Sequence, residues 1–283
     1  MMISRKKINW EVFICLLAAL NLNAQKQAKD SLFVNSIGMK FVLIHGGSMI
    51  VGKFQPTVSQ TGFFGKGLAP ALPESAFKLG QEMAAQDAMP GFNVNIDHDY
   101  FMGEYEVTQE QWKKVMGSNP SYFQGNKVND DAGQHPVESV SWQDAREFIN
   151  KLNALEKGRY VYRLPSEFEW EYAARAGAKD DISWAEIGSM AVIATLKTNK
   201  VGTKKPNAWG LYDMLGNVWE WVEDFYNEKI FADPIPPASG KEHVLKGAPF
   251  YGDVKNATYM THAGGPGSVY DTGFRVLMET TLK

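Results

Sequence analysis

The stretch Asn207–Asp224 limits what this chain can fold into more than any other segment. It holds three of the eight Trp residues, yet Gly210 and Gly216 interrupt any helix that would run through it. Within it, Val218–Val222 alternates large apolar residues with Glu220, which is typical of a strand or an extended rim at the edge of a core. The segment therefore predicts short extended structure and tight turns beside an aromatic core.

The same stretch carries a group of oxygen-bearing side chains. Asp213, Asn217 and Glu220 lie within a few residues of one another, and carboxylate and amide oxygens are the ligands that Ca²⁺ prefers. On composition alone, an equally simple interpretation is a Trp-rich core hairpin with acids on its surface. Both interpretations stay open at this point.

Residues 1–24 have the pattern of a secretory signal peptide. Arg5–Lys7 form a basic start, Val12–Leu20 is an apolar run too short to cross a bilayer, and Ala24 offers a small residue for cleavage. An uncleaved anchor or a buried first strand is the alternative. We expect a mature chain that is secreted or periplasmic, or held at the cell envelope, with one domain over residues 31–283 and no membrane span.

The single cysteine, Cys15, lies inside this leader. Cleavage after Ala24 would leave no disulfide, no thiol nucleophile and no thiolate metal ligand. The formal net charge of -3 does not indicate the excess of basic residues that is typical of nucleic-acid-binding proteins. A protein or small-molecule ligand is therefore the expected partner.

Strands are predicted in the first third of the chain. Phe41–His45 has the pattern of a strand, and Met49–Gly52 is its predicted hairpin partner. Lys53–Asn95 is irregular, with one plausible helix over Glu74–Asp87, and we interpret it as an insertion. Ile96–Val107 follows as a further predicted strand.

Capping signals predict three helices. Thr108 with Gln111 fits a capping box, Ser141 with Asp144 opens the most regular helix, and Ser166 precedes a helix over Glu167–Ala176. The remaining strand-like pieces are short: Tyr160–Arg163, Val244–Gly247 and Gly273–Leu277. We predict one α+β domain with little regular secondary structure.

Common catalytic motifs are absent from the sequence. It has no HExxH, no P-loop, no GxGxxG and no GxSxG. Asp97-His98-Asp99 could ligate a transition metal, but a loop His between solvated acids is the preferred interpretation. Glu167, Glu169 and Glu171 could act as buried acids, although at a helix start they more simply complement the helix dipole.

Taken in order, a set of short motifs resembles the sulfatase-modifying-factor family, which has the formylglycine-generating-enzyme fold. The motifs run through nearly all of the expected mature chain: Asn35–Met39 with Phe41–Gly47, Tyr105–Thr108, Pro136–Trp142, Arg163–Arg175, Pro206–Trp221 and Gly273–Arg275. Each is weak alone, and their order makes the resemblance specific. It implies a compact mixed fold, distantly like C-type lectins.

The resemblance also implies a calcium site, built on the turn before Trp219 in the stretch Asn207–Asp224. Carried onto this chain, the ligands are the side chains of Asp213 and Glu220 and the backbone carbonyls of Gly216 and Val218. A second calcium site of the family has no clear counterpart in Asp180–Lys200.

The family's formylglycine-forming members use two copper-binding cysteines, and the corresponding interval here, Pro249–Thr272, holds none. Copper is therefore not expected, and neither is the classical activity.

Trp219, His262 and Arg275 are candidate pocket residues. We expect a binding or scaffold role, in effect a pseudoenzyme. The alternative is a cysteine-free oxidoreductase acting on a peptide or small phenolic substrate. Carbohydrate binding through exposed aromatics is a further hypothesis.

Overall fold

The computed structural model describes residues 32–51, 91–183, 185–231, 234–254, 257–265 and 267–280. The leader, Cys15, the predicted helix over Glu74–Asp87 and most of the predicted insertion lie outside the described residues. The strands within them are β1 Leu32–Val34, β2 Lys40–Ile44, β3 Gly47–Val51, β4 Phe92–Ile96, β5 Tyr100–Gly103, β6 Tyr162–Arg163, β7 Trp219–Phe225, β8 His243–Gly247, β9 His262–Gly264, β10 Thr272–Phe274 and β11 Leu277–Glu279.

The strands form three small sheets. A five-stranded sheet has the order β1-β2-β5-β11-β6, a four-stranded sheet has the order β10-β7-β8-β9, and β3 pairs with β4. Strands β7 and β10 run parallel, and every other pairing is antiparallel. Together with few and short helices, this confirms the prediction of one α+β domain with little regular secondary structure.

Two strand predictions were wrong. Residues 49–51 do not pair with the strand before them: β3 pairs with β4, placing Val51 opposite Phe92, whereas β2 pairs with β1 and β5. The partner strand of β3 is β4, which lies beyond the segment that follows β3. Residues 92–95 of β4 fall within the predicted insertion Lys53–Asn95. Of the strand predicted over Ile96–Val107, only Tyr100–Gly103 forms a strand of its own, β5, while Ile96 ends β4 in a different sheet and residues 104–107 are in no strand.

The α-helices are α1 Gln109–Met116, α2 Trp142–Leu155, α3 Glu167–Arg175 and the single turn α4 Ile187–Met190, and two 3₁₀ helices cover Gly125–Lys127 and Ala132–Gln134. Thr108, Ser141 and Ser166 each form a complete capping box, which confirms the three predicted starts. These three helix starts depend on residues only three positions apart, so they could be predicted from the local sequence.

The four-stranded sheet separates two apolar clusters. Trp221 and Leu245 belong to the cluster that contains α1 and α2, where Trp112 stacks on Phe148 with ring centroids 5.4 Å apart. Val222 and Val244 belong to the cluster on the other side, which contains Trp170 of α3. The register pairs Glu220 with Lys246 and Lys246 with His262. These three side chains therefore share the sheet face that is turned towards α3.

No helix in the described part of the chain has both the length and the apolar character needed to span a bilayer.

Candidate functional site

The turn Asp213–Val218 has a tightly constrained backbone. Asp213 and Asn217 have φ values of 58° and 70°, in the left-handed region. A Cβ on Gly216 would lie 2.6 Å from the Val192 carbonyl oxygen, so no other residue fits there without a shift. The Asn217 side chain bonds the backbone of Asn199 in both directions. The sequence DMLGN therefore specifies a single turn geometry.

Asp213 is buried in this turn, and one of its carboxylate oxygens is unpartnered. Oδ2 accepts a 2.7 Å hydrogen bond from the backbone N–H of Gly202, whereas Oδ1 is buried without a partner. Burial raises the pKa of Asp213 to about 6. An oxygen in this state is suited to accept a cation or a proton.

Glu220, the other predicted calcium side chain, is already engaged. Its two oxygens accept hydrogen bonds from Nη2 and Nε of Arg275, both at 2.6 Å. The Trp170 indole N–H donates a further bond at 2.7 Å. Arg275 is fully buried and also donates to the carbonyls of Gly103 and Tyr212. This bidentate ion pair joins the start of β7 to the chain that follows β10.

A third carboxylate, Glu106, lies in the same buried environment. Neither of its side-chain oxygens has a hydrogen-bond partner in another residue, and the charges that act on it are those of Asp213, Glu220 and Arg275. Burial, followed by the charge of Asp213, raises the pKa of Glu106. The sequence analysis did not single out Glu106 as a site residue, because nothing in Tyr105–Thr108 shows that this side chain points into the core.

These environments decide how well calcium fits the predicted turn. In the described residues, no three Asp, Glu, His or Cys side chains come together as a metal-binding group. A calcium ion here would need backbone carbonyls in addition to carboxylates, as the family resemblance also implies. Asp213 Oδ1 fits a ligand role, whereas both oxygens of Glu220 already accept hydrogen bonds. Calcium therefore remains a prediction whose Asp213 end is the better supported.

Two of the three glutamates of α3 are held in hydrogen-bonded ion pairs, whereas Glu167 Oε1 has no hydrogen-bond partner. Glu169 accepts two 2.7 Å hydrogen bonds from Arg163. Burial opposes ionisation of Glu169, but the Arg163 guanidinium outweighs it and lowers its pKa to about 2. Glu171 accepts from Arg175 at 2.6 Å and from the fully buried Lys246 at 3.0 Å. All three side chains are buried, which the helix-dipole argument alone did not predict.

The candidate pocket residues do not meet at one open site. His262 packs against Tyr226 and Phe231, and its Nδ1 lies 3.1 Å from Glu167 Oε1 without the alignment of a hydrogen bond. Trp219 points to the opposite face of the sheet, because its register is offset by one residue from that of Glu220. Arg275 is buried in its ion pair.

The Asp97-His98-Asp99 cluster matches the preferred interpretation of a histidine between acids. His98 Nδ1 lies 3.0 Å from Asp97, and its Nε2 lies 2.9 Å from Glu169. The Asp97 carboxylate is the largest cause of a raised His98 pKa. Both ring nitrogens are therefore occupied by carboxylates.

A cluster of half-exposed tyrosines lies on the surface next to the turn. Tyr122, Tyr251 and Tyr270, which we call the tyrosine patch, are 50%, 50% and 49% exposed. The Tyr270 ring centroid lies 6.0 Å from that of Tyr122 and 6.2 Å from that of Tyr251. Beneath them, Phe123 and Phe250 pack edge to face at 5.0 Å. No sequence pattern predicts this patch, because residues 122 and 270 are brought together only by the fold.

Polar groups fix the tyrosine patch from two sides. Lys127 Nζ lies 3.2 Å above the Tyr122 ring centre, a cation–π contact, and the Tyr251 hydroxyl donates to Asp271. The Phe250 backbone N–H donates at 2.8 Å to the Asn217 carbonyl. The base of the patch is therefore hydrogen-bonded directly to the Asp213–Val218 turn.

Comparison with known proteins decides the family. A family model described as sulfatase-modifying factor enzyme 1-like domain matches residues 36–280. The chain belongs to this family. Its fold is accordingly that of the formylglycine-generating enzymes, and the resemblance drawn from the sequence motifs is confirmed.

Individual relatives in the family carry different names. The chaperone protein LppX of Paenibacillus barcinonensis is 31% identical over 190 residues, which cover 48% of this chain and 65% of LppX. The formylglycine-generating enzyme of Mus musculus is 32% identical over 164 residues, 49% of this chain and 42% of the enzyme. The chain thus spans less than two thirds of these relatives.

A solved structure shows the likeness over most of the fold. Treponema denticola variable protein 1 is 27% identical and covers 87% of this chain and 97% of its own, with a TM-score of 0.67. The family therefore includes proteins with different names on one scaffold, and the specific role must be argued from this chain's own residues.

Proposed function

We propose that this domain is a calcium-stabilised binding module that uses the tyrosine patch to hold a protein partner and does not form formylglycine. The observation that carries the proposal is the cluster of three half-exposed tyrosines on a fixed aromatic base. Tyrosine supplies a large, rigid contact area together with a polar hydroxyl, and it is enriched among residues that dominate binding energy.

Several features support a protein as the partner. The patch combines aromatic rings with a cation at Lys127 and a carboxylate at Asp271, which suits the mixed surface of a folded protein or peptide. One relative, LppX, is named a chaperone protein, which agrees with a protein partner. The interval Pro249–Thr272 carries two of the tyrosines and no cysteine.

A peptide library tests this proposal without knowledge of the partner. A random peptide phage-display library would be panned on the purified chain and counter-selected on a Tyr122→Ala/Tyr251→Ala/Tyr270→Ala variant. We expect enriched peptides that bind only the parent chain. Enrichment of peptides that bind both chains equally, or no enrichment, would contradict the proposal, and selective hits on a glycan array would replace a protein with a carbohydrate.

The absence of formylglycine formation has its own test. A synthetic C-x-P-x-R peptide would be incubated with the copper-loaded chain in air and followed by mass spectrometry. We expect the cysteine to remain unconverted, because no thiolate pair is available to bind copper. Conversion of the cysteine to formylglycine would overturn this part of the proposal.

Calcium is the second component, supported by the unpartnered Asp213 Oδ1 in a turn that holds the base of the patch. An ion that binds only the folded state stabilises it by about 2.7 kcal/mol at one hundred times its dissociation constant. Thermal melts in calcium and in chelator test this, and identical curves would contradict it.

For localisation we propose export. N-terminal sequencing of the expressed chain tests this, and a mature start at Gln25 is the expected result.

A further inference from the structure

The Tyr122 ring of the tyrosine patch has a lysine ammonium directly over its face. Lys127 Nζ lies 3.2 Å from the centre of this ring. The other cations over aromatic rings in the described part of the chain lie 5.1 to 5.9 Å from the ring centres. The quadrupole of a tyrosine ring attracts a cation placed over its face. The Tyr122 face therefore already binds a cation in the free chain.

Lys127 differs from those other cations in having no ion pair among the described residues. Each of the others pairs with a carboxylate: Lys40 with Glu104, Arg146 with Glu223, and both Arg175 and Lys246 with Glu171. Lys127 ends a three-residue 3₁₀ helix, and its side chain is exposed. Since the ring face alone holds this ammonium group, another cation can replace it without breaking a salt bridge.

The charges around the tyrosine patch also favour a positive ligand. Glu138 is fully buried and accepts a 2.7 Å hydrogen bond from the backbone N–H of Phe123, at the base of the patch. Asp271 is 5% exposed; its Oδ2 accepts from the Tyr251 hydroxyl, and its Oδ1 is buried without a partner. These two carboxylates and Lys127 have a net charge of -1 when all three are ionised. A cationic group is therefore attracted to this surface more than an anionic one.

We propose that the tyrosine patch recognises a cationic side chain of its protein partner, and that Lys127 occupies the position of this cation on the Tyr122 ring in the free chain. The proposal rests on the proposed binding role of the patch and names the chemistry that it recognises, a guanidinium or ammonium group. Lys127 is then an internal competitor that the partner displaces. The Tyr270 ring, with its centroid 6.0 Å from that of Tyr122, extends the aromatic surface that a planar guanidinium can contact.

Titration with a matched pair of short peptides tests the recognition of a cation. The full chain, labelled with ¹³C in its tyrosine rings, is titrated with blocked Gly-Arg-Gly and with the same peptide carrying neutral citrulline in place of arginine, and the ring signals are followed by NMR. We expect the arginine peptide to shift the Tyr122 signals and to bind about two- to fivefold more tightly, the ratio that one exposed cation–π contact supplies. A blocked lysine peptide and its acetyl-lysine counterpart repeat the comparison for an ammonium group.

Lys127→Gln tests displacement, because a competitor and a contributor to binding predict opposite signs. Removing a competitor should strengthen binding of the arginine peptide by about two- to fivefold and leave the citrulline peptide unchanged. Lys179→Gln is the matched control: it removes the same charge from another exposed lysine, which follows α3, and it should bind like the parent chain. Tyr122→Leu, at a half-exposed residue, should abolish the preference for the charged peptide.

The Lys127 side chain gives a second readout of displacement. The Tyr122 ring shields the ε-methylene protons of Lys127 in the free chain, because Nζ lies over the ring centre. We expect these proton signals to move to ordinary lysine positions when the arginine peptide saturates the chain. Signals that stay shielded at saturation would overturn displacement.

The outcomes distinguish this inference from the proposed function on which it rests. Equal binding of the charged and neutral peptides, weaker binding by Lys127→Gln, or no shift at any tyrosine of the patch would overturn cation recognition. The tyrosine patch would still stand as a binding surface if the phage library yields peptides that need its three tyrosines. Failure of that selection removes the proposed function itself.

Discussion

Two clusters of buried charges meet at neighbouring positions of the four-stranded sheet, and they are balanced differently. The first, which we call the closed cluster, contains Glu167 and Glu171 of α3 with Arg175 and Lys246, two acids and two bases. The second, which we call the open cluster, contains Glu106, Asp213, Glu220 and Arg275, three acids and one base. Glu220 of the open cluster and Lys246 of the closed cluster are direct partners across β7 and β8.

The difference shows where this fold relies on something other than its own side chains. In the closed cluster, α3 supplies an acid and a base four residues apart, and β8 adds the second base. The open cluster receives a single guanidinium from the segment after β10. We attribute the remaining negative charge to a cation site, and the following predictions would break or sharpen that contrast.

The largest expected effect comes from removing the central base of each cluster. Arg275→Met should lower the free energy of unfolding by about 5 kcal/mol, the upper end for breaking a buried ion pair, since three acids lose their one base. Lys246→Met should cost about 3 kcal/mol, because Glu171 keeps Arg175. Urea unfolding in calcium measures both. Equal costs, or a larger cost for Lys246→Met, would remove the contrast.

A pH-dependent effect is expected at Asp181, next to the closed cluster. Burial raises its pKa from 3.8 to about 7, so the native state holds the proton more tightly than the unfolded state. The native state is therefore penalised increasingly as pH rises from about 4 to about 7, and at about 1.4 kcal/mol per pKa unit the penalty reaches at most about 4 kcal/mol. Asp181→Asn should gain stability over the parent chain by pH 8 and not at pH 4. Parallel stability–pH curves would contradict this.

A sign change with calcium is expected in the open cluster. In calcium, the parent chain should be more stable than Asp213→Asn by about 2 to 3 kcal/mol, because the variant loses most of the mass-action stabilisation. In chelator the order should reverse, because the variant carries one fewer buried acid with an unpartnered oxygen. Chemical denaturation in both buffers measures this, and the same order in both would count against a cation at Asp213.

The smallest effect is expected at the surface. Tyr270→Ala should weaken binding of a selected peptide by about 1 to 2 kcal/mol, roughly 10-fold, with little effect on the melting temperature, because the residue is half exposed. Leu196→Ala, at an almost fully exposed residue in another part of the chain, is the control. Surface plasmon resonance with the immobilised peptide compares them. Equal loss in the two variants would indicate that the patch is not the binding surface.

Local signals explain which parts of this molecule could be predicted. The three capping boxes depend on residues three apart, and each was confirmed. Pairing across distance could not be predicted: β3 finds its partner beyond a long segment, and Gly273–Leu277 splits into β10 and β11 in two sheets. The family motifs gave the fold because their order carries the long-range information that local patterns lack.

The candidate site was predictable only in part, for the same reason. The turn Asp213–Val218 has a local sequence signal in Asp213, Gly216 and Asn217. The engagement of Glu220 depends on Arg275, 55 residues away, and the open state of Glu106 depends on donors that the fold does not supply. The tyrosine patch joins residues from two distant loops. None of these features has a local sequence signature.

The most direct test of the account is an anomalous difference map from crystals grown in calcium. We predict one peak within about 2.3 to 2.6 Å of an Asp213 carboxylate oxygen, the range of calcium–oxygen distances. A map with no peak at the Asp213–Val218 turn would contradict a calcium site there.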